Sequence, residues 1–242
     1  MLDQTFLAPT ATSAKSLISI NFVAALATAA LAVTLGSLAP ANARAQDIKG
    51  NAAAGAQKNA MCVGCHGIID YKTGFPDVHR VPKLHGQNAR YIATALGEYK
   101  QGDRKHPSMR AVAQTLTDQD MADLGAYFES AHAGARTAAA AAPVDAGPAK
   151  ALLDKAGCPA CHGADFNQPI DPAYPKLAGQ HSDYLYFALR AYQHQDKAFV
   201  GRGNPIMGGM VKQLSNQDLK TLAHYLESLN GDLATIQASR LR

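Results

Sequence analysis

The feature that most restricts how this chain can fold is that most of it is written twice. Cys62-Val63-Gly64-Cys65-His66 returns as Cys158-Pro159-Ala160-Cys161-His162. Pro82-Lys83-Leu84-His85-Gly86-Gln87 returns as Pro175-Lys176-Leu177-Ala178-Gly179-Gln180, and Tyr91, Ala95, Leu96 and Tyr99 as Tyr184, Ala188, Leu189 and Tyr192. Pro107-Ser108-Met109 matches Pro205-Ile206-Met207. Leu116, Asp120, Leu124 and Tyr127 match Leu214, Asp218, Leu222 and Tyr225. The order is kept and the spacing shifts only between blocks, as loops of different length produce. Two copies of about 95 residues predict two domains rather than a solenoid, whose repeats are shorter and more numerous. Between them, residues 130–148 contain Ala138–Ala142 and two prolines and read as a linker. The expected domains are therefore 46–129 and 149–242.

All four cysteines fall within the two Cys-x-x-Cys-His pentapeptides, the signal for covalent haem c attachment. Two thiols three residues apart reach the two vinyl groups on one side of a porphyrin, and the next residue, His66 or His162, stands under the iron. A thioredoxin-like motif comes with a βαβ pattern, which is missing here, and a zinc site brings its Cys pairs closer together. Two covalently bound haem c groups also suit a chain with 9 Tyr, 7 Phe and no Trp among 242 residues, since a cofactor fills the core of a small domain.

The sixth iron ligand decides the chemistry. His/Met ligation raises the potential and suits electron transfer, whereas an open position invites peroxide or gas chemistry. Met109 and Met207 each follow Pro-x in matching places and read as loop residues available to the iron. Met210 competes with Met207 and has Val112 opposite it in the first copy. Met61 adjoins Cys62, and Met121 lies in a helical pattern that assigns it to the core. His79, His106, His132, His181, His194 and His224 lack a His counterpart, and His85 faces Ala178; each reads as a surface or packing histidine. An enzyme of this composition, such as a dihaem peroxidase or a thiosulfate-oxidising cytochrome, would show asymmetric ligands. Here both copies offer Pro-x-Met and no cysteine is left over, so the reading is an electron-transfer protein. An electron-transfer subunit docked on a dehydrogenase remains the alternative.

Periodicity predicts an all-α fold without a sheet. Helices are expected over 50–62, 89–101, 147–158 and 183–194, with Ser182 capping the last. Two more follow Thr117-Asp118-Gln119-Asp120 and Ser215-Asn216-Gln217-Asp218, each a hydroxyl with a carboxylate three residues on. The Pro82 and Pro175 carbonyls are candidates to orient the histidines; turn formation is the alternative. Arg104 and Arg202 either neutralise haem propionates or are solvated loop charges. Tyr99 and Tyr192 read as packing residues.

Residues 17–39 are apolar and uncharged, Lys15 precedes them and Ala43-Arg44-Ala45 follows. This reads as a secretory leader, residues 1–45, cleaved after Ala45; an uncleaved anchor is the alternative. Export implies an oxidising compartment. The net charge of +4 is dispersed and excludes a nucleic-acid partner.

The ordered series Cys-x-x-Cys-His, Pro-Lys-Leu-x-Gly-Gln, Tyr, Pro-x-Met, Leu-[Thr/Ser]-x-x-Asp, occurring twice after a leader, resembles the cytochrome c4 family over nearly the whole mature chain. The departures are a long stretch before the leader's apolar segment, including Asp3, and a longer loop before Met207. The resemblance implies two tandem all-helical class I cytochrome c domains with neighbouring haems. It places the attachment cysteines at Cys62, Cys65, Cys158 and Cys161. The axial pairs it implies are His66 with Met109 and His162 with Met207. It also implies a periplasmic respiratory carrier, loosely associated with the membrane, that takes electrons from a cytochrome bc complex or another donor and passes them to a terminal oxidase.

Overall fold

The computed structural model describes residues 48–131, 146–194 and 197–237; the leader, its cleavage site, most of the linker and His132 lie outside them. In the first half, α1 (Ala52–Lys58) begins at Asn51, whose side chain accepts from the Ala54 N–H, and α2 (Ala60–His66) carries the first pentapeptide. Then come β1 (Lys72–Thr73), β2 (His79–Arg80), α3 (Ala89–Gln101), β3 (Arg104–Lys105), α4 (Pro107–Gln114) and α5 (Asp118–Ser130). The second half holds α6 (Gly147–Ala156), α7 (Pro159–His162), α8 (Ser182–Gln193), β4 (Gly201–Arg202), α9 (Pro205–Val211) and α10 (Asn216–Ser228). Both halves fall within a single compact unit.

The capping boxes form as expected. Thr117 and Ser215 each accept from the N–H three residues on, at 3.2 Å, while Asp120 and Asp218 accept from the cap's own N–H at 2.9 Å. These bonds occupy N–H groups that the first helical turn leaves without partners. Ser182 does not cap: it is the first residue of α8, and His181 stands at the cap without a side-chain bond.

Two further expectations need correction. The methionines are not in loops: Met109 and Met207 lie in the first turns of α4 and α9. Pro107 and Pro205 open those helices, where a fixed φ and a missing N–H cost nothing. Strands are also present, four of two residues each, in two antiparallel pairs among the described residues. Runs this short leave no period-two pattern to read. β1 pairs with β2 within the first half, but β3 pairs with β4 across the two halves, Arg104 opposite Arg202.

Each half has its own apolar core. Ile92, Leu96, Met121, Leu124 and Phe128 fill the first; Leu153, Leu185, Leu219, Leu222 and Leu226 fill the second. In the first, α3 and α5 cross so closely that a Cβ on Gly125 would collide with the Ala89 carbonyl.

The halves join through polar groups placed by the repeat. Gln180 accepts from the Lys83 N–H and donates to its carbonyl, both at 3.0 Å. Arg80 binds Asp183 at 3.0 Å and Glu227 at 2.7 Å. The segment after α10 crosses over, and Ala234 exchanges backbone bonds with His85.

Candidate haem sites

On α2, Cys62 and Cys65 sit one turn apart on one face, and His66 follows at the C-terminal end. None of the four cysteines is in a disulfide; Cys65 is exposed and the others are half-buried. His66 and His162 are buried.

Each histidine is locked through one ring nitrogen. His66 Nδ1 lies 2.9 Å from the Pro82 carbonyl and His162 Nδ1 lies 3.0 Å from that of Pro175. A carbonyl only accepts, so Nδ1 carries the proton in both rings. Burial pushes the His66 imidazole down to about 4, the Pro82 bond opposing it, and lowers His162 in the same way. Both rings are therefore neutral at physiological pH. A neutral imidazole protonated at Nδ1 keeps its Nε2 lone pair free for a metal. The two prolines act through their carbonyls, which settles the choice left open by sequence.

A cavity of about 290 Å³ adjoins His66. Cys62, Cys65, His66 and Met109 all line it, with Ile92, Leu96 and Leu124 supplying apolar wall. It thus gathers the predicted site residues of the first half. In the second half, Cys158 and Met207 pack against the local core, whereas Met210 is 47% exposed. The Met109 N–H points to His106 Nδ1 at 3.5 Å and the Met207 N–H to Asn204 Oδ1 at 3.0 Å. These caps fix the first turn that carries each methionine.

Several contributions were not foreseen. Tyr184 and Phe187 of the second half line the first half's cavity, as do His79 and His106. His79 stacks on Phe187 with ring centroids 4.2 Å apart. The cap role of His106 was open to view, since it directly precedes the proline of Pro-x-Met; the cross-half contacts carry no local signal. His85 packs edge-on to Phe128 at 5.1 Å, and His181 is buried. Arg104 and Arg202 are not solvated, being 4% and 5% exposed.

Four cysteines outside any disulfide in two Cys-x-x-Cys-His pentapeptides, two neutral imidazoles held by carbonyls and an apolar cavity against one of them form a donor set that fits haem c. The fold and these sites define a dihaem protein made of two tandem cytochrome c domains. The sequence profile described as Cytochrome c matches residues 49–132 and 146–230. Cytochrome c4 of Azotobacter vinelandii is 33% identical over 216 residues, covering 83% of this chain and 97% of that one. The chain belongs to the cytochrome c4 family and carries two covalently bound haem c groups. The crystal structure of reduced recombinant cytochrome c4 from Pseudomonas stutzeri superposes with a TM-score of 0.57 at 28% identity, over 75% of this chain and 100% of that one. A protein of Stutzerimonas stutzeri named thiosulfate dehydrogenase electron acceptor is 27% identical over 186 residues, covering 72% of this chain and 82% of that one. These relatives make the chain a dihaem electron carrier. Among the described residues, no helix is long and apolar enough to cross a membrane.

Proposed function

We propose that this chain is a periplasmic one-electron carrier of the respiratory chain, receiving electrons from a cytochrome bc complex or a similar donor and delivering them to a terminal oxidase. The observation that carries the reading is the matched pair of sites: each half supplies one neutral histidine held by a proline carbonyl and one methionine held in a capped first turn. In this reading Cys62 and Cys65 bind one haem and Cys158 and Cys161 the other. His66 with Met109 and His162 with Met207 are the axial pairs. The exposure of Met210 supports Met207. A leader cleaved after Ala45 exports the chain, the two domains are residues 46–129 and 149–242, and contact with the membrane is peripheral.

Bound haem supplies a reversible one-electron change at iron. The polypeptide keeps that change cheap. With haem bound, the proline carbonyls would hold the imidazole planes, the caps would hold the methionines, and the core leucines would exclude water from the site. Little then reorganises when charge moves.

A second reading, an electron-accepting subunit of a dehydrogenase, draws on the Stutzerimonas stutzeri relative of that name. Rapid mixing separates the two. The ferrous protein should be oxidised by aerobic membranes that contain a haem-copper oxidase, and cyanide should stop it. Failure there, with reduction by a thiosulfate-fed dehydrogenase, would favour the second reading.

A further inference from the structure

Each carbonyl that holds a histidine belongs to a peptide group whose other end is held by the opposite half. The Pro82 carbonyl faces His66 Nδ1 at 2.9 Å, and the N–H of that same peptide, carried by Lys83, donates to Gln180 Oε1 at 3.0 Å. In the other copy the Pro175 carbonyl faces His162 Nδ1 at 3.0 Å, and the Lys176 N–H of its peptide donates to Gln87 Oε1 at 2.9 Å. The remaining arm of each amide fixes the glutamine in turn: Gln180 donates to the Lys83 carbonyl and Gln87 to the Lys176 carbonyl, both at 3.0 Å. Both glutamines are buried. The far end of each loop is anchored in its own half, the Gly86 N–H on the Phe128 carbonyl of α5 and the Gly179 N–H on the Leu226 carbonyl of α10. The proline end, which meets the histidine, is held from across the seam.

A peptide group is planar, so holding its N–H fixes where its carbonyl points. Hydrogen bonds in such a row also polarise one another: an N–H that donates to an amide oxygen leaves its own carbonyl a better acceptor. A stronger bond at Nδ1 makes the imidazole a more basic ligand, and a more basic ligand favours ferric iron. We infer that Gln180 is a positioning residue for His66 and Gln87 for His162, so that each half sets the proximal ligand of the other half's haem. The inference rests on the reading of His66 and His162 as iron ligands and is independent of the electron's route.

The test is a redox titration of the holoprotein followed by NMR of isotope-labelled histidine. A ring bound to ferrous iron is shifted upfield by its own porphyrin and leaves that position on oxidation, so each ligand ring reports its own haem. Each ring is assigned through the contact of its Nδ1–H with the Pro82 or the Pro175 loop. Gln180→Met removes both bonds at nearly unchanged volume. It should speed exchange of the His66 Nδ1 proton with solvent. It should also move the first haem toward the ferrous state, by about fivefold in the ferrous-to-ferric ratio at fixed potential, the worth of one hydrogen bond. The second haem should move less. Gln87→Met should give the mirror result, acting on His162. Gln180→Glu keeps an accepting oxygen for the Lys83 N–H and should leave the His66 Nδ1 proton protected. Asn51→Ala strips the α1 cap, a bond that involves neither loop, and should lower stability with both potentials in place. If each glutamine moves only the haem of its own half, the crossed control is overturned. It is overturned equally if the Met variants lose stability as Asn51→Ala does and move neither haem, or if Gln180→Glu frees the ring proton as Gln180→Met does. A ferrous wild type with fewer than two haem-shifted rings carrying Nδ1–H would overturn the ligand reading itself, and the inference with it, before any variant is made.

Discussion

Gln87 and Lys176 exchange two hydrogen bonds across the boundary between the halves: the Gln87 amide donates to the Lys176 carbonyl at 3.0 Å and accepts from its N–H at 2.9 Å. Gln180 repeats the exchange with Lys83. Each amide satisfies a donor and an acceptor of a backbone that approaches no strand, so these glutamines do at the seam what a ladder does in a sheet.

Gln87→Ala should strip both partners from Lys176 and destabilise the holoprotein by about 1–3 kcal/mol, since partly buried polar groups lose bonds without gaining others. Denaturant unfolding followed by haem absorption measures this. A change below about 0.5 kcal/mol would mean that water takes over the pairing.

The methionines can be told apart by carbon monoxide. The ferrous wild type should bind none readily at neutral pH. Met207→Ala should admit about one molecule per chain and lower the potential of that haem, because the thioether ligand raises it. Met109→Ala should do the same at the other haem, and Met210→Ala should do neither. Carbon monoxide binding by Met210→Ala but not Met207→Ala would move the ligand by one turn of α9.

His181 makes stability depend on pH. Burial holds its ring down to about 4, with Lys83 and Arg80 adding like charge; its ordinary value is 6.5. Between those values the unfolded chain binds a proton that the folded chain refuses. The stability tied to this ring is therefore complete above pH 6.5 and is lost as the pH falls toward 4. The loss should be on the order of 1 kcal/mol at about pH 5. His181→Gln should flatten that part of the unfolding profile; an unchanged slope would assign the acid sensitivity to other groups.

Processing is checked by mass. The exported protein should begin at Gln46 and carry two haems that survive acid-acetone extraction, because thioethers do not dissociate. A chain that keeps residues 17–39 would be anchored instead.

Much of the architecture could be read from the chain because the repeat printed it twice. The helix expected over 89–101 forms with those bounds, and both capping boxes close. The proline carbonyls could be named as candidates but not chosen, since their role depends on where the loop folds back onto the histidine. Met109 and Met207 read as loop residues after Pro-x, whereas each proline stands at the first position of a helix and the methionine in its first turn. The seam itself could not be read. The Arg104–Arg202 pairing, the His79–Phe187 stack and the entry of Tyr184 into the first cavity join residues roughly a hundred positions apart, and no local period marks them.

The passage of Tyr184 and Phe187 into the first cavity has a consequence for how far this duplicated chain is modular. A lone copy of the first half would keep its cysteines, its histidine and its methionine, yet it would lose part of the wall around its own cofactor. Water would enter where two aromatic rings now stand and raise the local dielectric, and that would favour the oxidised iron. The second half is thus part of the solvent that the first haem experiences.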